Sequence, residues 1–414
     1  MLSKFFKSTG RVRALRGGPA GALFDGFAST LSRAGYAQIT ARGHIRAAEH
    51  LVAWADRKDI SARDLTGQSL ERFKHHLLHC RCSRYGHTKR SLVHGADTFL
   101  RYLQDVGVIR SATAATGMPD PALMVAFYRW MRERRGSCDG TLNNYGIHIR
   151  ELLKRHGENP GRFDAQSLRQ FVIEGSQTRG WAAAKTRTTA LRMFLRFLVA
   201  EGQCDSRLEA AIPVLAHWRL ASLPRYLQPA DVERLIASCD PASPVGLRDR
   251  AILLLLARLG LRAGDIVKLR LQDIDWKNGW IHVSGKGRLH TRLPLLQEVG
   301  QALVAYLKER RPRSETDAFF VRSRAPLQAF TSHCAVSMIV SQALRRAHVD
   351  RPSRGAAHLL RHSLATSMLR HGASLQEVAA VLRHRSIETT QIYAKVDVTA
   401  LRQIAQPWPE VQSC

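Results

Sequence analysis

The chain has few of the features that mark secreted or membrane proteins. Its seven cysteines are odd in number and dispersed along 414 residues, which favours a reducing cytoplasm over a disulfide framework. No apolar run approaches the roughly 18 residues of a spanning helix, and residues 1–18 lack the long apolar core of a secretion signal. We therefore expect a cytoplasmic protein without a membrane partner.

Acidic residues are also scarce. The chain has 34 Asp and Glu residues against 63 Lys and Arg residues, a net charge of +29. Such a balance is typical of proteins that bind polyanions, although charge alone leaves ribosomal, RNA-binding and membrane-surface functions open. With 45% hydrophobic residues, the chain is long enough for two or three domains with their own cores.

Nucleotide and metal motifs are missing as well. There is no G-x-x-x-x-G-K-[ST] loop and no carboxylate cluster near the C-terminal motifs described below, so we expect no cofactor and no catalytic metal. One segment of thirteen residues is rich in potential zinc ligands: His75, His76, His79, Cys80, Cys82 and His87. Zinc is conceivable there, but no second C-x-x-C or H-x-x-x-H pair completes a familiar site. The favoured interpretation is a basic helix end with solvated histidines.

The C-terminal part carries residues suited to phosphate chemistry. His358 and Arg361 are three residues apart in a segment of helical pattern, so both side chains can converge on one anion. Arg262 follows a buried-looking apolar run, and we expect Asp265, three residues later, to brace its guanidinium. Two arginine forks can hold two oxygens of one phosphodiester.

A nucleophile and a proton donor complete this pattern. Tyr393 needs nearby cations, because a phenol with a reference pKa of about 10 is a weak nucleophile at neutral pH. His384 lies nine residues before it, and His362 is expected to support the site. The segment from Trp280 to Leu295 predicts a β-hairpin with Lys286 at its tip, where an ammonium could protonate a leaving oxygen.

Taken together, these residues resemble the active site of the tyrosine recombinase (phage integrase) family, Xer and integrase proteins included. The match covers roughly residues 223–401 and includes, in type and order, Arg262, Lys286, His358, Arg361, His384 and Tyr393. Two departures are visible: Arg383 stands where the family usually has Gly before the late histidine, and Asp265 replaces the commoner Glu. Arg383 could add a phosphate contact or crowd the turn.

The resemblance implies a site-specific recombinase that cuts and rejoins double-stranded DNA through a 3′-phosphotyrosyl intermediate, without metal or ATP. It also implies a homotetramer on DNA, with accessory proteins or sister recombinases as further partners, and integration, excision or transposition of a mobile element. A type IB topoisomerase, a non-catalytic DNA-binding relative and a metal-dependent nuclease are the alternatives.

The N-terminal half contains an internal duplication. Q-S-L-E-R-F at residues 68–73 recurs as Q-S-L-R-Q-F at residues 166–171, and F-L-R-Y-L at residues 99–103 recurs as F-L-R-F-L at residues 194–198. Each copy contains about four segments with helical apolar spacing. We therefore predict two helical modules, of which the second resembles the core-binding domain of the family.

The predicted fold is mainly α, with a small β-sheet in the catalytic domain. Duplicated SAM-like helical DNA-binding domains are followed by an α+β tyrosine-recombinase domain. The predicted parts are a flexible basic arm (1–20), an additional helical domain (21–110), a core-binding domain (119–206), a linker (207–226), the catalytic domain (227–405) and a tail (406–414). Val396 to Ala405 predicts a short helix that docks in cis or on a neighbouring protomer.

Overall fold

The computed structural model describes residues 1–80, 89–109, 120–215, 223–284, 290–350, 355–384, 386–396, 401–402 and 405–406. The chain divides into two compact units, one formed by residues 1–110 and 220–414 and the other by residues 111–219. The predicted fold class is confirmed, because helices dominate and one three-stranded sheet lies in the C-terminal part. No helix in the described ranges is both long and apolar enough to cross a membrane.

The first helical module begins earlier than the sequence indicated. Its helices are α1 (Thr9–Gly17), α2 (Gly21–Arg33), α3 (Gln38–Asp56), α4 (Gly67–His79) and α5 (Lys89–Asp105), after a 3₁₀ turn at Leu2–Lys4. The expected flexible arm is wrong. Apolar side chains between its basic residues are buried in the core of the module: Leu2, Phe5, Phe6, Val12 and Leu15.

Helices α3 and α5 form the centre of this module. They approach closely at Gly95, where an added Cβ would lie 2.6 Å from the Cβ of Ala47. The module also contacts the C-terminal part of the same unit, because the Leu327 N–H donates to the carbonyl of Ala34 at 2.9 Å.

The second unit repeats the arrangement of helices α2 to α5 of the first module. It contains α6 (Ala122–Arg135), α7 (Asp139–His156), α8 (Ala165–Ala200) and the short α9 (Arg207–Ala210). Gly180, with a φ of 68°, breaks α8 into two helical halves, so the unit has four main helical segments, like α2 to α5 of the first module. The recurring motifs occupy matching places: Phe73 in α4 and Phe171 in the first half of α8 are buried, as are Phe99 in α5 and Phe194 in the second half of α8. The domain boundaries stay a prediction, and residues 216–222 of the predicted linker lie outside the described ranges.

The C-terminal part is built on a central helix. It comprises α10 (Pro229–Ala237), α11 (Pro244–Leu259), α12 (Ala263–Lys268), β1 (Ile274–Asp275), β2 (Trp280–Ser284), β3 (His290–Pro294), α13 (Gln297–Ala305), α14 (His333–Arg346), α15 (Ala356–Arg370) and α16 (Leu375–Leu382). A single turn of π-helix extends α13, and two 3₁₀ segments, Ile387–Thr389 and Gln391–Val396, follow α16. Helix α11 contacts α13 and α15, and its continuous apolar run is buried.

The predicted hairpin is present in its strands. β2 pairs with β3 in antiparallel register, with Ile281 opposite Leu293, and β1 adds a short third strand at the other edge of β2. Ile281 and Val283 face the core, as the alternating pattern predicts. Residues 285–289, the predicted turn, lie outside the described residues.

Candidate active site

Arg262 is positioned by the junction of two helices. Helix α11 ends at Gly260, which has a φ of 56°, and Arg262 caps the start of α12. The backbone N–H of Arg262 donates to the carboxylate of Asp265 at 3.0 Å, and its guanidinium donates to the carbonyl of Arg383 at 3.1 Å. The expectation that Asp265 braces the guanidinium of Arg262 is therefore wrong. Asp265 fixes the backbone of Arg262 instead.

Arg361 lies at the centre of the site. It is only 4% exposed, and its guanidinium donates to two backbone carbonyls, those of Gly260 and Leu382. These two contacts tie α15 to the ends of α11 and α16. Burial, followed by repulsion from Arg262 and Arg383, lowers the pKa of Arg361 to about 9, so the side chain is still a cation at neutral pH.

His358 lies one helical turn before Arg361 on α15, and its side chain reaches solvent. The surrounding protein displaces water from part of the ring, and Arg361 and Arg262 repel a proton there, so the pKa of His358 is lowered. Both arginines therefore lie within electrostatic reach of His358. The convergence of these three side chains on one anion stays a prediction.

The hydroxyl of Tyr393 is hidden. The side chain is 1% exposed, and its oxygen lies 2.7 Å from Nδ1 of His362. Burial raises the pKa of Tyr393 to about 12, against the opposing charge of Arg361, and burial lowers the pKa of His362 to about 4. The pair at neutral pH is therefore a phenol beside an unprotonated imidazole.

His384 is held by a residue that the motif does not include. Its Nδ1 lies 2.7 Å from the hydroxyl of Thr390, which is fully buried. Burial and the charges of Arg361 and Arg262 lower the pKa of His384 to about 4. If the hydroxyl of Thr390 donates to Nδ1, the Nε2 of His384 carries the proton and can donate to an anion.

Arg383 turns inward rather than toward solvent. It ends α16 in the left-handed conformation, with φ 54° and ψ 49°, which explains why Gly is common at this place in the family that the sequence resembles. Its guanidinium donates to Asp265 at 2.8 Å, and both side chains are at most 8% exposed. Its Nε and Nη1 have no hydrogen-bond partner among the described residues.

The described site thus carries more positive than negative charge. Three positive guanidinium groups, on Arg262, Arg361 and Arg383, are opposed by the single negative carboxylate of Asp265, while the histidines and the tyrosine are neutral. Such an excess favours an anion with several oxygens, such as a phosphodiester. Lys286 lies outside the described residues, so its distance from the site stays a prediction.

Comparisons with known proteins agree with this geometry. Residues 225–399 match the phage integrase family. The chain is also 37% identical over 405 residues to a Sinorhizobium fredii (strain NBRC 101917 / NGR234) protein named as an integrase/recombinase, y4rA, and the alignment covers 95% of each chain. The chain belongs to the phage integrase family.

Other members of the phage integrase family are similar over a shorter stretch. The tyrosine recombinase XerD of Listeria monocytogenes (serovar 1/2a) is 32% identical over 295 residues, which cover 68% of this chain and 96% of XerD. A crystal structure of the XerH site-specific recombinase bound to its palindromic difH substrate superposes with a TM-score of 0.55 at 21% identity, covering 69% of this chain and 85% of XerH. A lambda integrase dimer on a core site gives a TM-score of 0.52 at 18% identity, covering 70% of this chain and 98% of the integrase. These structures share the fold of this family member.

Two members of the site were not assigned from the sequence. Thr390 gives no local signal, because only its position beside His384 makes it important. Arg383 was visible as a departure from the family pattern, but the sequence does not reveal that its partner is Asp265, 118 residues away.

Proposed function

We propose that this chain is a site-specific DNA recombinase in which Tyr393 attacks a backbone phosphate to form a 3′-phosphotyrosyl intermediate. The observation that carries the proposal is the buried Tyr393 hydroxyl, which lies 2.7 Å from Nδ1 of the unprotonated His362 and within electrostatic reach of the buried Arg361. The cation favours an anionic phosphate, and the imidazole can take the proton of the phenol. Membership of the phage integrase family supports the same chemistry.

In the cleavage step, the Tyr393 oxygen forms a bond to phosphorus as the bond from phosphorus to the 5′-oxygen breaks. The phenol proton passes to Nδ1 of His362, and Lys286 gives a proton to the leaving 5′-oxygen. Rejoining is the reverse reaction, with a new 5′-hydroxyl as the attacking group. Because the phosphotyrosyl bond conserves the energy of the phosphodiester, the cycle needs no ATP.

The remaining groups stabilise negative charge on the phosphoryl oxygens. Each guanidinium has five N–H donors, so Arg361 has donors left after binding its two carbonyls, and Arg262 after binding one. His358 is exposed on the same helix as Arg361, and His384 is oriented by Thr390. These four side chains can contact the non-bridging oxygens.

The structure buries the side chain of the proposed nucleophile, Tyr393. A tyrosine that is 1% exposed cannot reach a phosphate of a duplex without moving. We therefore expect the segment Gln391–Val396 to shift on DNA binding, so that the phenol turns out of the apolar cluster around Leu369 and Val378 while its oxygen stays within hydrogen-bond reach of His362. Family relatives that act on DNA support a double-stranded DNA partner with specific sites.

The biological role that fits best is integration, excision or transposition of a mobile element, carried out by a homotetramer on two DNA sites. Accessory proteins or sister recombinases can contribute to that assembly. The additional helical module would enlarge the DNA footprint or support the catalytic part. A cytoplasmic location is consistent with the free cysteines, because none of the cysteines in the described ranges forms a disulfide.

The test is covalent trapping on DNA from the source genome, in EDTA, followed by sequencing of the attached ends. The native protein should form adducts at a few defined sites, and Tyr393→Phe should bind DNA without forming them. Tyr226→Phe is the matched control, because it removes another tyrosine hydroxyl, one that lies at the end of the predicted linker and accepts a hydrogen bond from Arg370 of α15. It should retain adduct formation.

Other outcomes would point to other members of the fold. Adducts scattered without site preference would support topoisomerase-like relaxation. Strand cleavage that requires Mg²⁺ and leaves no protein attached would reject the proposal in favour of a nuclease. A folded, DNA-binding protein without adducts, even on its own mapped binding sites, would leave a non-catalytic relative.

A further inference from the structure

Three side chains with metal-binding atoms meet between helices α3 and α4 of the first module. Nε2 of His50 lies 3.3 Å from Nε2 of His76 and 3.5 Å from Sγ of Cys80. All three ligand atoms lie within 4.8 Å of one another. His76 and Cys80 are four residues apart at the end of α4, so one helix turn presents both toward His50 on α3.

We propose that His50, His76 and Cys80 bind one Zn²⁺ ion that links α3 to α4, with a water molecule in the fourth position. In tetrahedral zinc sites the metal lies about 2.0–2.1 Å from nitrogen and about 2.3 Å from sulfur, which separates two nitrogens by about 3.3 Å and nitrogen from sulfur by about 3.5 Å. The two distances from Nε2 of His50 match that geometry, and all three ligand atoms lie within 4.8 Å of one another. A thiolate and two imidazoles are also the ligand types that zinc prefers.

The surroundings keep the ligands in the form that binds metal. His50 is 1% exposed, and burial, together with His76 and Arg57, lowers its pKa to about 4. Burial also lowers the pKa of His76, with help from Arg57 and Lys58. Both imidazoles are therefore neutral at pH 7, the protonation state in which histidine binds a metal.

Aromatic rings hold the two imidazoles in place. The ring of Phe73 lies 5.2 Å from that of His50 in an edge-on arrangement, and the ring of Trp54 lies 6.1 Å from that of His76. Rings packed in this way have little freedom to turn away, so the ligand atoms are oriented before a metal arrives. Pre-oriented ligands lose less entropy on binding.

The second module has different side chains around the counterpart of Phe73. Phe171, the counterpart of Phe73, is covered by the guanidinium of Arg187 at 4.3 Å from the ring centre. Arg187 donates to Glu151 at 2.7 Å, which joins α8 to α7 through an ion pair. Arg187 lies in the second half of α8, so this ion pair joins the second and fourth helical segments, whereas the cluster of the first module joins the second and third. In the first module the available groups are those of a zinc site.

The sequence argued against zinc because no second ligand pair lies near the Cys/His-rich segment. The structure supplies the missing ligand from α3, 26 residues before His76. Of the other candidates, His75 and His79 are exposed on α4 and outside the cluster, and Cys82 and His87 lie outside the described residues.

The first test measures zinc in untagged full-length protein by elemental mass spectrometry after gel filtration. We expect about one zinc per chain in the native protein and less than about a tenth of that in Cys80→Ser and in His50→Asn. His79→Asn is the matched control, because it removes an exposed histidine of the same helix, and it should keep its zinc. Zinc content that is unchanged in Cys80→Ser would overturn the proposal.

A second measurement does not depend on variants. Native protein stripped of metal and titrated with Co²⁺ should develop the near-ultraviolet absorption of a cobalt–thiolate bond and the visible bands of tetrahedral cobalt, and both should saturate at one ion per chain. Chelation should also lower the Tm of the native protein. Absence of the cobalt–thiolate band from protein that keeps its helical circular dichroism would overturn the proposal.

Discussion

Two clusters in this chain contain buried or half-buried histidines, yet they suit ligands of opposite charge. His362 and His384 in the active site and His50 in the first module all have pKa values lowered to about 4 by burial. Their neighbours differ. The active site adds three guanidinium groups around one carboxylate, whereas the module adds a second imidazole and a thiol.

The comparison shows that burial alone does not define what a histidine does. Burial makes each imidazole neutral, and a neutral imidazole can donate to an oxyanion or bind a metal through its lone pair. The atoms within about 4 Å decide between these roles, because charges act strongly at that distance inside a protein. Arginines held by backbone carbonyls create the anion site, and a sulfur beside two nitrogens creates the metal site.

The largest effect should come from Arg361→Lys. Lysine keeps the charge but cannot bind the Gly260 and Leu382 carbonyls while contacting a phosphate. We expect the rate of adduct formation to fall by about 10²–10³-fold, the usual effect of removing one group that stabilises transition-state charge. Single-turnover cleavage measures this rate, with Arg345→Lys, an exposed arginine of α14, as control. If Arg361→Lys slowed adduct formation less than Arg345→Lys does, the role given to the arginines of the active site would be wrong.

His362→Gln should slow adduct formation by about 100-fold, the lower range for a lost general base. Glutamine can still bond to the phenol of Tyr393 but cannot accept its proton at neutral pH. His371→Gln serves as control, since the only hydrogen bond of the His371 side chain among the described residues is with the carbonyl of Ser367. An unchanged rate in His362→Gln would mean that His362 packs against Tyr393 without taking its proton.

Arg383→Gly tests whether the buried ion pair stabilises the fold. Loss of one partner of a buried pair costs about 3–5 kcal/mol, and relief of the left-handed backbone returns about 1–2 kcal/mol. We expect the free energy of unfolding, measured in urea, to fall by about 2 kcal/mol. The double variant Arg383→Gly with Asp265→Asn should lose less, because no unpaired carboxylate remains. A more stable Arg383→Gly would contradict this account.

Acid should produce a graded loss of stability. The folded-state pKa of His50, His362 and His384, about 4, lies below the unfolded value of about 6.5. The unfolded chain therefore binds more protons between these values, so stability is complete above about pH 6.5 and is lost as the pH falls through about 4. Bound zinc should move the acid transition to lower pH by a fraction of a unit. If the pH midpoint of acid unfolding were the same with and without a chelator, His50 would not be a metal ligand.

Much of the active site could be predicted from the sequence because its signals are local. His358 and Arg361 share one helix face, and the strands around Lys286 alternate as a hairpin does. The prediction failed where partners come from distant segments. Asp265 binds Arg383 rather than the guanidinium of Arg262, and this pairing depends on how α12 and α16 meet.

The N-terminal part shows the same limit. Helical spacing predicts the four segments of each module, and the repeated phenylalanines lie in matching places. The positive charge of the first residues predicts a flexible arm. In the structure Leu2, Phe5 and Phe6 pack into the core of the first module instead. The cluster of His50, His76 and Cys80 needs two helices to meet, which no local pattern reveals.

The central claim is that Tyr393 is the nucleophile of a site that binds a phosphodiester. The most direct test is mass spectrometry of the trapped protein–DNA adduct after digestion of both the protein and the DNA. The account predicts a nucleotide remnant on the peptide that contains Tyr393, with the phosphate attached to the phenol oxygen. A remnant on a different residue, or cleaved DNA with no remnant on any peptide, would contradict it.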